Sequence, residues 1–295
     1  MKSIMKRILV MTLAVIMVVA PITASATEKQ DTILYLALGD SITEGDSSYV
    51  QYINAHLEEQ CNTLVTQNLG VSGCRAVNIA TAITDPANEA YESLRYGITV
   101  ADVITLDIGS NDILMPVINV MCEYFECTPE TLGTTMEEWG NKFNNETDLY
   151  QKWLIYNEVM TIATNIHEEL YNGTTMPNAI AEFKASYSTI IDTILELNPD
   201  VKLYLGNVYN PYHGFAPLMV NDYEMLDLES FTEEYVLIVN DIVEEKIADR
   251  YPIVDIYSEI KDSTLLLGDP TVNNYDPHPN ADGHKLIGEL FVAVM

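Results

Sequence analysis

Positive charge is scarce in this 295-residue chain: 14 Lys and Arg stand against 44 Asp and Glu. Three of the cations, Lys2, Lys6 and Arg7, open the sequence, and an apolar stretch over 8–20 follows, interrupted only by Thr12. Pro21 and the small residues Ala24-Ser25-Ala26 come next. A bilayer span needs about 20 apolar residues, so this shorter stretch reads as a secretory signal cut after Ala26, with export expected. No cysteine stands near the cut, which argues against a lipid anchor, and no membrane span is expected in the mature chain. Removing 26 residues from 295 leaves 269, enough for one large α/β domain. Removing three cations leaves eleven against 44 carboxylates, a net charge of −33. Such a surface repels phosphate backbones and anionic headgroups, which excludes nucleic acid and polybasic membrane binding.

Cysteine is also sparse. Cys61, Cys74, Cys122 and Cys127 match no zinc-ligand spacing. In an oxidising compartment four cysteines allow three pairings, and short separation favours Cys61–Cys74 and Cys122–Cys127. Four free thiols are the equal alternative. Familiar motifs are missing too. Nothing fits GxGxxG, GxxxxGK[ST] or the EF-hand loop. His167-Glu168-Glu169-Leu170-Tyr171 lacks the second histidine of HExxH, and Gly70-Val71-Ser72-Gly73 has the wrong spacing for a GxSxG elbow.

What is present is a succession of short apolar runs: 32–38 (TILYLAL), 64–68, 101–108 (ADVITLDI), 201–208 and 252–257. Helical patterns fall over 48–60, 179–197, 229–250 and from 282 to the end. Alternation of this kind predicts a doubly wound parallel sheet. Ligands in such sheets bind beyond the carboxyl ends of the strands. Polar, glycine-bearing turns fall at three of those ends, over 39–41, 68–73 and 109–112, so one site built from loops is expected. The stretch from 113 to about 178 is too long for a plain connection. It carries Trp139 and Trp153 and three helical pieces, and reads either as a helical cap inserted over the site or as a structural helical pair.

The turns carry chemistry. Leu38-Gly39-Asp40-Ser41 follows the first strand, Asn68-Leu69-Gly70-Val71-Ser72-Gly73 the second, Gly109-Ser110-Asn111-Asp112 the third, and Asp276-Pro277-His278-Pro279-Asn280 lies near the C-terminus. Four such blocks in this order, spanning Gly39 to Asn280, resemble the SGNH, or GDSL-type, serine hydrolase family. The resemblance implies a flavodoxin-like three-layer α/β/α sandwich that hydrolyses esters through an acyl-enzyme, with no metal or organic cofactor. It also implies roles: Ser41 as nucleophile, His278 as general base, and an oxyanion hole from the backbone N–H groups of Ser41 and Gly73 and the side chain of Asn111. The chemistry agrees, because a serine hydroxyl needs an imidazole to take its proton and the developing oxyanion needs fixed donors.

Simpler roles exist for each residue. A serine after a strand commonly caps the next helix. Asp40 and Asp112 are expected only to hold their turns. His56, His167 and His284 read as surface or structural residues, and His213 as one that could reach the rim. The family places its acid three residues before the histidine, where this chain has Tyr275. Asp276 lies two before; Pro277 favours an extended Asp276, and alternate residues of an extended segment point the same way. Asp276 is therefore the candidate orienting acid, with a backbone carbonyl or the more distant Asp269 as alternatives. Eighteen tyrosines against six Phe and two Trp suit an acetylated carbohydrate ester, although Tyr is also an ordinary boundary residue. A cap over the site suits longer acyl chains, as in a lipase or lysophospholipase. A catalytically silent glycan-binding protein is the alternative from another class. A flavodoxin-like cofactor binder is disfavoured by the missing phosphate loop and the negative charge.

Overall fold

The computed structural model describes residues 29–213, 217–220, 223–247, 250–260 and 276–295. The proposed signal segment, Asp269 and Tyr275 lie outside these. Five strands form one all-parallel sheet: β1 (Gln30–Gly39), β2 (Cys61–Gly70), β3 (Val103–Asp107), β4 (Lys202–Gly206) and β7 (Ile253–Val254), in the order β2-β1-β3-β4-β7. A short antiparallel hairpin of β5 (Leu218–Val220) and β6 (Tyr223–Leu226) stands apart from it. The helices are α1 (Val50–Glu58), α2 (Ala76–Thr84), α3 (Tyr91–Val100), α4 (Ser110–Phe125), α5 (Leu132–Asn145), α6 (Leu149–Asn172), α7 (Thr175–Leu197), α8 (Leu228–Ile247), α9 (Ile256–Ile260) and α10 (Ala281–Val294).

Alternation along the central strands divides the core into two layers. Leu36 and Leu38 of β1, with Ile104 and Leu106 of β3, face a cluster built on α2, α3, α4, α7 and α8. Tyr35 and Ala37 point the other way, onto α1, α9 and α10. Both faces of the sheet are thus covered, giving the expected α/β/α sandwich. On the second face the last helix closes the molecule: Phe291 of α10 stacks on Tyr49, their ring centroids 5.0 Å apart. Burying one such ring stabilises by about 1.5–3 kcal/mol.

The expected strands are all found, with shifted limits. The second extends to ten residues because its whole length pairs with β1, from Gln30↔Cys61 to Gly39↔Gly70. The fifth shrinks to two residues, since α9 begins at Ile256. Helices α2 and α3 and the hairpin β5–β6 add to the sequence reading.

The strand order reverses between β1 and β3, which lead to opposite halves of the sheet. Chains leaving this switch point diverge and leave a crevice beyond the strand ends. Ser41 stands just after β1 and Asn111 just after β3, one on each side of it.

Candidate active site

The turn after β1 is held by its own side chain. Asp40 Oδ1 accepts the backbone N–H of Ile42 at 3.0 Å, while its carbonyl accepts those of Thr43 and Glu44 at 3.1 Å. Asn68 braces the same turn from β2, donating through Nδ2 to the carbonyls of Thr43 at 2.7 Å and Gly45 at 3.2 Å. This fixes Ser41 at the crevice mouth, half-buried, ahead of α1 rather than at its N-cap, which is Tyr49.

His278 arrives from the far end of the chain. Asn280 caps α10, accepting from the N–H groups of Asp282 and Gly283 at 3.0 Å, and the segment before the cap lies along the cleft. Tyr209 donates its hydroxyl to the Pro277 carbonyl at 2.8 Å and pins that segment from the β4 side. His278 Nε2 lies 2.9 Å from Ser41 Oγ. His278 Nδ1 lies 2.6 Å from Asp276 Oδ1, which also accepts the His278 backbone N–H at 3.0 Å. Serine, imidazole and carboxylate therefore form one continuous relay.

The loops after β2 and β3 face it. Gly73 has φ +73°, a left-handed conformation that disfavours a side chain. A Cβ there would meet nothing within 4 Å, so the backbone conformation and not crowding favours glycine. Gly109, at φ +135°, turns β3 into α4 under Val208 and Val239, which a Cβ would meet at 3.0 and 3.1 Å. That turn sets Asn111 in the first turn of α4, where Nδ2 donates to Asp40 Oδ2 and to the Cys74 carbonyl, each at 3.2 Å. Asp112 ties the two loops together. Its Oδ2 accepts the Ala76 N–H at 3.0 Å, and Arg75 Nε approaches Oδ1 at 3.5 Å while pairing with Glu182. Ser41, Gly73, Asn111 and His278 all line a single cleft of about 230 Å³, with Asp276 standing behind the imidazole.

Below the cleft the electrostatics are unusual. Asp40 is almost fully buried, and burial pushes its carboxyl up to about 6 against the opposing hydrogen bond from Ile42 and the charge of His278. Asp112 is likewise pushed up to about 6, chiefly by burial. Asp107, at the end of β3, is raised further by burial and by the neighbouring Asp40, which favours its neutral acid. The Cys74 thiol is raised to about 11 by burial and by Asp40 and Asp112. Two of these carboxyls do more than hold their own turns: Asp40 reaches Asn111, and Asp112 reaches the Gly73 loop. Asp107 carries a sequence signal, as the one charged residue inside the run 103–108. Tyr209 carries none, because its partner lies 68 residues away.

The other histidines lie elsewhere. His213 Nδ1 pairs with Glu229 at 2.8 Å and does not line the cleft. His56 bonds Gln60, and His167 Nδ1 contacts the Met225 carbonyl and stacks on Tyr171. His284 sits near His278 and is pushed down by burial and by that neighbour's charge. Of the long stretch after 113, only α4 reaches the cleft, through Ile113, Leu114 and Val117; α5 and α6 contribute no lining residue. The Cys61–Cys74 pairing is ruled out. Cys61 opens β2 and Cys74 lies beyond its other end, and a ten-residue strand is roughly 30 Å long, against the 7 Å limit between Cα atoms of a disulfide. All four cysteines are free thiols here. Among the described residues no helix is long and apolar enough to cross a membrane, and no three metal-ligating side chains converge.

Fold, crevice and relay define a serine hydrolase of the α/β/α type. The chain belongs to the GDSL-like lipase/acylhydrolase family, whose sequence model matches residues 37–286, and it is accordingly an ester-hydrolysing enzyme. Its fold is similar to that of the lipase Lip_vut3 from a goat rumen metagenome, with a TM-score of 0.55 and 17% identity, covering 89% of this chain and 97% of the other. An extracellular lipase from Streptomyces rimosus gives a TM-score of 0.49 at 14% identity, covering 90% of this chain and 100% of that one. The acetylxylan esterase Axe2 from Geobacillus stearothermophilus gives 0.48 at 16% identity, covering 90% and 94%. No curated protein sequence matches the chain.

Proposed function

We propose that this enzyme is an exported carboxylesterase that prefers aliphatic acyl chains longer than acetyl, with Ser41, His278 and Asp276 as its catalytic relay. The observation that carries this reading is the apolar cavity onto which Ser41 opens. Ile113, Leu114 and Val117 of α4 face Phe231 and Val236 of α8 across it, with Val208 beneath. The cleft, at about 230 Å³, has room for more than an acetyl methyl.

The relay supports the following chemistry. Ser41 Oγ attacks the ester carbonyl as His278 Nε2 takes its proton, and Asp276 holds the opposite Nδ1–H. The negative charge gathers on the carbonyl oxygen, facing the N–H groups of Ser41 and Gly73 and the Asn111 amide. Both Asn111 hydrogens are committed in the free enzyme. The oxyanion displaces the Cys74 carbonyl, because the bond to the Asp40 carboxylate is charge-assisted and the stronger of the two. His278 returns its proton to the leaving alcohol, the acyl group stays on Ser41, and water repeats the sequence to release the acid. The acyl chain lies meanwhile between α4 and α8.

The test is a series of p-nitrophenyl esters from acetate to laurate. Each methylene buried contributes about 0.8 kcal/mol, close to fourfold in kcat/KM, so the constant should climb steadily and level off once the cavity is full. Acetate as the best substrate would overturn the acyl preference and favour an acetylated carbohydrate. Alongside, a fluorophosphonate should add one mass label to the wild type and none to Ser41→Ala; no label on folded wild type would overturn the assignment of Ser41. Export rests on the basic-apolar-small pattern of residues 1–26.

A further inference from the structure

A second and larger cavity lies away from the cleft. It measures about 310 Å³ and is enclosed by α5, α6, the end of α4 and the β5–β6 hairpin. Phe125, Met136, Trp139, Phe143, Tyr156 and Met219 form most of its surface, and none of its lining residues is shared with the cleft. Helix α5 buries no residue completely. Leu132, Met136 and Trp139 pack one side against the main core, and Met136 and Trp139, with Phe143, also line this space, so water covers apolar surface there that a guest would dry. By size the cavity falls at the lower bound of small-molecule sites, about 300 Å³.

Its rim is distinctive in so acidic a protein. Lys142 of α5 places Nζ 4.2 Å from the Trp139 ring centroid, and Lys152 of α6 places Nζ 4.7 Å from that of Phe143. Both rings line the cavity. An ammonium over an aromatic face is held by the ring quadrupole, so two of the chain's 14 cations are held against rings that line this one cavity. Other lysines meet carboxylates at full ion-pair distance, as Lys184 does Glu245 at 3.0 Å and Lys246 does Asp192 at 2.6 Å. Lys142 faces Glu158 only at 3.9 Å, an exposed pair worth little and easily exchanged for another anion. Inside, the polar side-chain groups are the Asn144 amide, the Tyr156 hydroxyl and the indole N–H of Trp139.

We infer that this cavity binds an amphipathic carboxylate, its aliphatic or aryl body against Trp139, Phe143 and Tyr156 and its anionic end between Lys142 and Lys152. The site is independent of the catalytic assignment.

The molecule supplies its own probe, since both tryptophans of the chain, Trp139 and Trp153, sit on α5 and α6. Sodium decanoate, titrated below its micellar concentration into the full chain, should give a saturable change in tryptophan emission that persists in Trp153→Phe. Charge reversal in Lys142→Glu/Lys152→Glu should weaken decanoate at least tenfold and change the affinity for neutral decanol less than threefold. Val159→Phe, which fills the cavity, should weaken both; the lysine variants serve if that one misfolds. No saturable change with decanoate, or equal loss of decanoate and decanol on charge reversal, overturns the inference. So does a decanoate signal undiminished in folded Val159→Phe.

Discussion

Asn111 spends both hydrogens of its amide inside the protein, one on a buried carboxylate and one on a backbone carbonyl. In the proposed mechanism the Asp40 bond keeps the amide aimed while the Cys74 carbonyl gives way to the oxyanion, so the exchange of one hydrogen bond is all the donor has to reorganise. Asn111→Ala should therefore lower kcat by about 10²–10³-fold with a much smaller change in KM; equal losses in both would mean that it serves ground-state binding. Asp276 makes a different prediction. Its oxygen fixes the imidazole from the side opposite Ser41, so Asp276→Asn should cut kcat by as much as ~10⁴-fold through the wrong tautomer and leave KM close to wild type. Near-normal turnover would assign the orienting role elsewhere. At this scale most of the site was legible. Ser41, Gly73, Asn111 and His278 stand in short blocks whose order carries the family likeness, and Asp276 followed from an extended residue before proline. Tyr209, Arg75 and the Asp40–Asn111 bond were not legible, because each joins segments far apart in sequence and no local pattern marks such a pair.

Helix α4 joins the candidate site to the outer layer, and its two ends follow different rules. Gly109 shapes its start. At its end Glu126 takes the left-handed conformation (φ 52°), and the N–H groups of Cys127 and Glu126 bond back to Cys122 and Glu123, at 3.0 and 3.4 Å. This is the Schellman arrangement, which brings the residue after the left-handed turn against one a turn earlier. Cys122 and Cys127 occupy those two positions, with their thiols in contact. Oxidation by a disulfide exchange reagent should join this pair alone, seen as a loss of 2 Da and one cross-linked peptide, while Cys61 and Cys74 stay alkylatable. Any other pairing would contradict the helix end described above. The parallel strands were readable as apolar runs because both faces of each central strand are buried. Helix α2 (AVNIATAIT) was not: nine residues of mostly apolar character suit either a buried helix or a strand. The hairpin strands, three and four residues long, are too brief to show a period at all. Composition left a cap over the site and a structural helical pair equally open for α5 and α6, because the choice depends on packing between distant segments; neither helix lines the cleft.

Across the whole molecule, charge dominates. Eleven cations and 44 carboxylates in the chain after residue 26 leave most acidic groups unpaired, and their mutual repulsion should be relieved by screening. Tm should rise with NaCl up to moderate concentration, and a flat or falling curve would show that repulsion is not limiting. Acidity acts within the fold as well. Asp40 and Asp112 titrate near 6 in the folded chain, against about 3.9 when unfolded. The folded protein holds protons there that the unfolded chain releases, so this contribution is full below about pH 4 and is lost as pH rises through about 6. Tm should accordingly be higher at pH 5 than at pH 8, and Asp40→Asn should narrow that difference while slowing turnover. An unchanged difference would place the pH dependence on other groups.

The hydrogen bond between Ser41 and His278 spans 237 positions of sequence, and α10 is seated against the helix that follows the nucleophile turn by the stack of Phe291 on Tyr49. On the proposed assignment a ribosome delivers the serine 237 residues before its base. Until His278 emerges, the growing polypeptide then holds an inert hydroxyl, and hydrolytic competence waits for α10 to dock. Turnover on this assignment reads out the docking of α10: a chain cut short before His278, however well its sheet has formed, should hydrolyse no ester.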